Sequence, residues 1–438
     1  MLSSRLPKDL SPSPFFAELE RAKADVLAEC ANADALPFID MTVSSPVKAG
    51  LPVDLDDAVD EGRKAFGNWS PDAAGWKSAR EVVVEYYRER GGDFTAGQII
   101  LTASTSEAYS VLFKTFCDPG DVILTPMPGY PLLDTLAQLE HLECAPYFLK
   151  IRRENARRRA TDERRESAKF RFVLDSDSLL AAPEHAKILL LVSPHNPTGH
   201  CVSREEWNEA VRFCEENNMI LVVDEVFGDY AFSDKVSRTW QYVFGERENV
   251  ILDPGVPSAI GEGIWDAGGG DFINLPENGP KCPIFWLNGL SKAVGSPQLK
   301  LGWMAFYAPR ENFEEIRAAL EFVEDAYLSV SAPAQALGIS LLPKAAAYES
   351  KVLDRLQQNW QTLREAFPSK YCPEVLGGWY AVVRLGEDDE ELTLRLLREK
   401  HVLVQPGFFF DFDEDGWVVM SLLQDPAIFK EAIDRIKQ

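Results

Sequence analysis

Five short apolar runs in the middle of the chain constrain its fold more than any other feature. They begin at residues 98, 121, 187, 219 and 284 and read QIILTAS, DVILTP, KILLLVSP, MILVVDEVF and IFWLNGLS. Several are apolar on both faces, a pattern typical of strands buried between two layers of helices. Helix signals separate some of the runs: Ser203 and Glu206 form a capping-box pattern ahead of Trp207. This alternation predicts an α/β fold with a mostly parallel sheet between helices.

The pattern changes after about residue 325. A long amphipathic segment, 348–367, is followed by short strand-like and helix-like segments up to residue 437, which indicates a smaller α+β domain. Two stretches interrupt the regular patterns and are predicted to be surface loops: the charged segment 152–167 and the Gly/Pro-rich segment 253–283.

The composition argues against several classes of function. The 438 residues fit two or three domains, and their net charge of −24 opposes binding to a nucleic-acid backbone or an anionic membrane. The seven cysteines are scattered without a CxxC pair, which argues against a disulfide framework and a zinc site. No apolar run approaches the roughly 20 residues that span a bilayer. We therefore expect a soluble, cytoplasmic protein without nucleic-acid, membrane or metal partners.

Polar side chains follow the apolar runs, at the strand ends where open α/β sheets bind their ligands. Ser104, Thr105 and Ser106 follow the first run at the start of a predicted helix, where hydroxyls and free N–H groups suit a phosphate. Such residues also serve as ordinary helix caps. Tyr130, in the loop TPMPGYP, offers an aromatic face to a flat ring. Asn196, in SPHNPTG, offers an amide donor to a ring oxygen.

Charged side chains follow the last two runs. Asp224 stands where a buried strand emerges, and a carboxylate there requires a cation such as a protonated ring nitrogen. Lys292 offers an amine nucleophile to a carbonyl, and Lys300, eight residues later, offers a charge to a phosphate. Together these groups require a phosphate, a protonated flat ring, a phenolic oxygen and an aldehyde. Pyridoxal 5′-phosphate (PLP) has all four.

The ordered motifs SPHNPTG, DEVF and GLSK, followed by a second cation and LGW, resemble those of the class I/II aminotransferases, which have the aspartate-aminotransferase fold (fold type I). The resemblance covers nearly the whole chain. It implies a large PLP-binding domain and a smaller α+β domain built from both chain ends. We expect an N-terminal arm and part of the small domain at 1–58, the large domain at 59–325 and the C-terminal small domain at 326–438.

The resemblance also implies a role for each candidate residue. Lys292 would form the internal aldimine and carry the Cα proton, Asp224 would pair with the pyridinium, and Tyr130 would stack on the ring; these three are the candidate catalytic residues. Asn196 would bind the ring oxygen. The phosphate would be bound by Ser104, Thr105, Ser106, Ser291 and Lys300. Such enzymes are homodimers with shared active sites, and Trp69 would lie where a tyrosine usually reaches the partner's phosphate.

Five positions depart from the family pattern. Phe227 replaces a tyrosine that donates to the ring oxygen, Gly289 replaces a hydroxyl residue, and Lys300 replaces an arginine. Trp69 replaces the tyrosine of the partner subunit. Val419, in WVVMSLL, replaces the arginine that binds the α-carboxylate of an amino acid. Phe227 is still expected beside the cofactor, and cofactor binding is expected to survive these changes.

The replacement of the carboxylate-binding arginine by Val419 affects which amino donor is expected. We expect a donor that lacks a free α-carboxylate, or one held by a substitute cation such as Arg384. The run Phe408–Phe410 is predicted either to line the substrate pocket or to belong to the core of the small domain. The sequence leaves the identity of the donor open.

The sequence thus predicts a PLP-dependent aminotransferase that exchanges an amino group between an amino donor and a keto acid or carbonyl by a ping-pong mechanism. A PLP-dependent lyase, acting by β-elimination or decarboxylation on the same fold, is the enzymatic alternative. A non-catalytic PLP-binding protein is the remaining one. Intact Lys292, Asp224 and Asn196 favour catalysis.

Overall fold

The computed structural model describes residues 3–7, 9–31, 36–154, 169–233, 235–244, 264–265, 272–273, 276, 279–386 and 388–438. The strands in these ranges are β1 (Ile39–Asp40), β2 (Ile99–Thr102), β3 (Val122–Met127), β4 (Glu143–Glu154), β5 (Lys169–Leu174), β6 (Ala186–Val192), β7 (Ile220–Asp224), β8 (Ile264–Trp265), β9 (Phe272–Ile273), β10 (Ile284–Gly289), β11 (Gly302–Tyr307), β12 (Tyr380–Arg384), β13 (Val402–Leu403), β14 (Gln405–Pro406) and β15 (Trp417–Ser421).

The helices in the same ranges are α1 (Pro14–Glu29), α2 (Asp56–Ala65), α3 (Lys77–Arg88), α4 (Thr105–Phe116), α5 (Leu132–Leu139), α6 (Ser176–Leu180), α7 (Arg204–Glu216), α8 (Gln241–Phe244), α9 (Leu290–Ala293), α10 (Phe313–Asp325), α11 (Ala332–Leu341), α12 (Ala345–Ala366), α13 (Asp389–Lys400) and α14 (Pro426–Ile436). Across the described part of the chain, none of them is both long enough and apolar enough to cross a bilayer.

The large sheet has the strand order β2-β11-β10-β7-β6-β3-β4-β5. Strands β10, β7, β6, β3 and β4 run parallel to their neighbours in that series, while β11 and β5 run antiparallel to theirs. Every described residue of β2, β10 and β11 is buried. Burial on both faces explains why these runs are continuously apolar, and the predicted mostly parallel sheet between helices is confirmed.

Helix α7 illustrates how the local sequence fixes the layers around the sheet. The Ser203 hydroxyl accepts from the backbone N–H of Glu206, and the Glu206 carboxylate accepts from the N–H of Ser203, as the capping-box pattern predicts. Trp207, Ala210 and Cys214 form the buried face of this helix. The helix connects β6 to β7 along the chain and packs against β7, as the order of the apolar runs predicts.

A second, smaller group of elements comes from both ends of the chain. Strands β12, β15 and β14 form an antiparallel sheet, and β1, near the N-terminus, pairs in parallel with β13. Helix α1 packs against α13, with Phe15 and Leu19 buried against Leu397 and Leu403. This arrangement confirms the predicted small domain built from both chain ends.

The exact domain limits stay a prediction. The limit at residues 325 and 326 coincides with the end of α10, whereas the limit at 58 and 59 falls inside α2. Of the predicted surface loop 152–167, the first three residues belong to β4, and 155–167 lie outside the described residues. Most of 253–283 also lies outside them, although β8 and β9 pair with each other there.

Candidate active site

A cavity of about 320 Å³ lies at the carboxyl ends of β2, β3, β6, β7 and β10. This is the edge at which open α/β sheets bind ligands, and the volume falls within the roughly 300–1,000 Å³ of small-molecule sites. Ten of the eleven sequence-predicted site residues line it: Ser104, Thr105, Ser106, Tyr130, Asn196, Asp224, Phe227, Ser291, Lys292 and Lys300. Trp69 lies elsewhere and is 76% exposed, so its predicted role toward a second subunit stays a prediction.

One end of the cavity is formed by the N-terminus of α4. Ser104 is the N-cap, and its hydroxyl accepts from the backbone N–H of Glu107 (3.2 Å). The hydroxyls of Thr105 and Ser106 stand in the first turn and line the cavity. The unpaired N–H groups and the dipole of a helix start favour an anion, so this end suits a phosphate group.

Ser291 and Lys300 line the cavity beside these hydroxyls. Lys300 closes a 3-10 turn, Pro297–Leu299, with a positive φ of 50°. Gly289, just before α9, opposes Gly302 of β11, and a Cβ added at Gly289 would lie 2.9 Å from the Gly302 Cα. The close approach of the two backbones therefore explains why this position holds glycine rather than a hydroxyl residue.

The Lys292 side chain reaches the middle of the cavity from α9. Its Nζ lies 4.7 Å from the ring centroid of Trp379 and 5.5 Å from that of Phe227. Burial among these groups lowers the pKa of Lys292 to about 8, although the charge of Asp224 opposes that shift. A lowered pKa makes the neutral amine available near neutral pH, which is the form that attacks a carbonyl.

Asp224 ends strand β7 and faces the same cavity. Its Oδ1 accepts from the N–H of Val226 (3.0 Å), and its Oδ2 accepts from the hydroxyl of Tyr109 (2.7 Å). Burial raises the pKa of Asp224, while Tyr109, the Val226 N–H and the charge of Lys292 oppose the rise. A cation bound against this carboxylate would offset the cost of burying it.

Tyr130 and Asn196 complete the walls. Tyr130 is 46% exposed, and its loop is anchored by the N–H of Gly129, which donates to the carbonyl of Phe410 (2.8 Å). A Cβ at Gly129 would lie 2.2 Å from the Pro126 carbonyl oxygen, so this tight turn requires glycine. The Oδ1 of Asn196 is buried and has no hydrogen-bond partner within the described residues.

The positions predicted to bear on the substrate lie outside the cavity lining. Val419 is fully buried in β15, paired with Val382 and Gln405. Arg384 forms an ion pair with Glu414 and does not line the cavity, so its prediction as a substitute clamp is wrong.

The run Phe408–Phe410 packs in the small domain. Phe408 contacts Phe15 at 5.3 Å and Phe409 contacts Phe16 at 5.7 Å between ring centroids, and Phe410 is buried. These contacts favour the core interpretation of the run over the pocket interpretation.

Two functional contacts were missed by sequence reasoning. Tyr109, buried in α4, reaches Asp224 as described above, and the hydroxyl of Tyr230 donates to the backbone carbonyl of Lys292 (2.7 Å). Tyr109 stands one helical turn after Thr105, on the same face of α4. That spacing was the available signal, because a polar hydroxyl on the buried face of a helix needs a partner.

The chemistry of these donors fits PLP. Hydroxyls, a helix start and Lys300 suit the phosphate, Asp224 suits a protonated ring nitrogen, and the amine of Lys292 suits the aldehyde. The Asn196 Oδ1 has no hydrogen-bond partner within the described residues. Because the O and N ends of an amide are assigned from its hydrogen bonds, the opposite orientation would place the amide NH2 there as a donor for a ring oxygen.

Comparison with known proteins gives the same assignment. The family model described as "Aminotransferase class I and II" matches residues 57–436. Similar sequences include a tyrosine aminotransferase of Caenorhabditis elegans, 21% identical over 85% of this chain and 71% of the relative. An alanine aminotransferase of Mycobacterium tuberculosis is 24% identical over 83% of this chain and 76% of the relative.

Solved structures share the fold across nearly the full length. An alanine aminotransferase from Pyrococcus furiosus superimposes with a TM-score of 0.73 at 21% identity, covering 98% of each chain. An aspartate aminotransferase from Thermotoga maritima gives a TM-score of 0.73 at 18% identity, covering 100% of this chain and 99% of the other. Because the family model spans most of its length, this chain belongs to the class I and II aminotransferases and is a PLP-dependent, amino-group-transferring enzyme.

Proposed function

We propose that this aminotransferase uses Lys292 as the residue that bonds to its cofactor and moves the substrate proton. The observation that carries the proposal is the position of the Lys292 amine in the same cavity as Asp224, with the N-terminus of α4 at one end. A neutral amine, a carboxylate and an anion site at these positions suit the aldehyde, the ring nitrogen and the phosphate of PLP, respectively.

The ends of the cofactor would be held by separate groups. The hydroxyls of Ser104, Thr105 and Ser106 donate to phosphate oxygens, and Lys300 supplies a point charge there. Asp224 stabilises the proton on the ring nitrogen, which keeps the ring electron-withdrawing. Tyr130 covers a ring face and excludes water, and Asn196 donates to the ring oxygen.

When bound, PLP supplies an aldehyde for the amino group and an electron-withdrawing ring. The Lys292 Nζ would be the base that accepts the proton from the substrate Cα and the acid that later gives it back. Its lowered pKa, about 8, places it close to the range in which an amine exchanges protons efficiently at neutral pH. Trp379 and Phe227 surround this nitrogen and keep competing water away from it.

The exchange would follow a ping-pong order, in which an amino donor leaves as a carbonyl before a keto acid or other carbonyl binds. A panel of amino acids and amines mixed with the PLP-loaded enzyme tests this reaction. Donor-dependent conversion of the bound cofactor to its amine form, reversed by a keto acid, is the expected result. Release of ammonia and keto acid without that conversion would assign the chain to the lyases.

We also propose that the enzyme is a homodimer and is cytoplasmic. Several large apolar side chains near Trp69 are exposed, among them Phe66, Tyr327 and Leu328, and Trp69 and Leu328 border the same surface depression. Such a patch favours burial against a second copy. The seven cysteines are free thiols, which suits a reducing compartment. Light scattering at two concentrations, with Trp69→Ala as the variant, tests the dimer; a monomeric wild-type protein would contradict it.

A further inference from the structure

Tyr109 makes a contact that the predicted roles of the cavity residues leave unexplained. Within the described residues, the hydrogen bonds to the Asp224 carboxylate come from the Tyr109 hydroxyl (2.7 Å) and the Val226 N–H (3.0 Å). The Tyr109 side chain is buried and lines the cavity. A buried hydroxyl aimed at a buried carboxylate makes a charge-assisted hydrogen bond, which is about twice as strong as a neutral one.

We propose that Tyr109 is a positioning residue that holds Asp224 ionised and oriented for the ring nitrogen of the bound cofactor. The inference rests on the proposed function, because it assigns Tyr109 a task only if Asp224 meets that nitrogen. It adds a residue from α4, a helix whose other contribution to the cavity is its N-terminus.

The geometry of α4 supports a joint role for the two parts of this helix. Thr105 and Tyr109 stand one turn apart on the same face, so the first turn meets the phosphate end and the second turn meets the carboxylate. A rigid helix therefore fixes the distance between the phosphate site and Asp224.

The direction of the hydrogen bond follows from the charges around it. Burial and the nearby charge of Asp224 raise the pKa of Tyr109 well above its ordinary value, so the phenol keeps its proton and donates. The charge of Lys292, from α9, lowers the pKa of Asp224. The charge of Asp224 also raises the pKa of Tyr130, which lies in the loop before α5. Burial raises the pKa of Asp224, and the hydrogen bond from Tyr109 opposes that rise. Removing the Tyr109 hydroxyl should therefore raise the pKa of Asp224.

The simplest alternative is that Tyr109 only packs in the core, since its ring also lies 6.1 Å from that of Phe113. Tyr147 provides a matched control for this alternative. It is equally buried, it lies outside the cavity lining, and its hydroxyl donates to the carbonyl of Leu190 (2.8 Å). Tyr147→Phe therefore removes a buried hydrogen bond without touching Asp224.

The test measures the apparent dissociation constant of PLP by absorbance from pH 6 to pH 9. Hydrogen bonds to charged groups contribute roughly 1.5–3 kcal/mol, so Tyr109→Phe should weaken PLP binding about 10- to 150-fold. The dissociation constant of the variant divided by that of the wild type should grow as the pH falls. The reason is that Asp224 takes up a proton at a higher pH in the variant than in the wild type. Tyr147→Phe should change the constant less than about twofold. Equal effects of the two variants, or a pH-independent ratio, would overturn the proposal.

A double-mutant cycle separates this inference from the proposed function. If Tyr109 acts through Asp224, Tyr109→Phe should cost little further affinity in an Asp224→Ala background. Full additivity would show that Tyr109 acts by another route. An Asp224→Ala variant that binds PLP as tightly as the wild type would instead contradict the proposed role of Asp224 itself.

Discussion

Replacing Asp229 by asparagine should destabilise the fold strongly, because this residue is the centre of a buried ion cluster. Its Oδ1 accepts from Arg90 Nε (2.9 Å) and Arg238 Nη1 (2.8 Å), and its Oδ2 accepts from the Tyr86 hydroxyl (2.8 Å). Only 2% of the Asp229 side chain is exposed. After the substitution, Glu349 would be the remaining carboxylate within 4 Å of both arginines, at 3.1 and 3.9 Å.

The size of the effect follows from the burial. Removing one partner of a buried ion pair costs about 3–5 kcal/mol, whereas an exposed pair contributes under about 1 kcal/mol. Asp60 provides the matched control, since it pairs with Arg63 at 3.1 Å with both side chains more than two-thirds exposed. We expect Asp229→Asn to lower the free energy of unfolding several-fold more than Asp60→Asn does.

Guanidinium chloride unfolding of the cofactor-free protein at pH 7, followed by tryptophan fluorescence, measures both variants. Burial alone would raise the pKa of Asp229, but the charges of Arg238 and Arg90 outweigh it and hold the pKa below its ordinary value. The stabilisation is therefore present above the unfolded pKa of about 3.9 and is lost as the pH falls through the lower folded pKa. A loss at pH 7 no larger than that of Asp60→Asn would refute the reasoning.

Three further predictions concern the cavity. Gly289→Ser should lower stability by about 1–3 kcal/mol without tightening PLP binding, because the added Cβ would lie 2.9 Å from the Gly302 Cα. Denaturation measures the stability and absorbance titration measures the binding. Tighter PLP binding would contradict the explanation. Phe227→Tyr should move the pH midpoint of the bound cofactor's visible absorbance downward, because a phenol donor stabilises the anionic ring oxygen; an unchanged or higher midpoint would argue against it. Val419 is buried and Arg384 is paired with Glu414, so neither is expected to bind the α-carboxylate of a donor. The kcat/KM for phenylalanine should therefore exceed that for phenylethylamine by less than about tenfold. A preference of several hundredfold for phenylalanine would show that another cation binds the carboxylate.

The large sheet could be predicted because most residues of its strands β2, β3, β6, β7 and β10 are buried, which leaves a continuous apolar signal. Asp224, which ends β7, and Lys292, three residues after the end of β10, were equally readable because the topology brings these strand ends together. Lys300, which lies between a 3-10 turn and β11, was readable from its eight-residue spacing to Lys292. Their spacing along the sequence was enough to predict that these residues lie at one site. The Ser203 capping box also needed no information from outside its own helix turn.

Contacts across long separations could not be read in this way. Tyr109 and Asp224 are 115 positions apart, so the local pattern indicates that the Tyr109 hydroxyl needs a partner but not that the partner is Asp224. The reason for Gly289 lies in the backbone of β11, which no local pattern reveals. The ion pair of Arg384 at the end of β12 with Glu414 likewise depends on the folded chain, since the two residues are 30 positions apart.

Chemical labelling of the cofactor-bonded lysine tests the central claim most directly. Sodium borohydride reduces the covalent link between PLP and an enzyme amine to a stable bond, and peptide mapping then locates the label. We predict a single labelled peptide that contains Lys292, and no label in a Lys292→Ala variant that still binds PLP through its phosphate site. Label at Lys300 or at any other lysine of the wild-type protein would contradict the account.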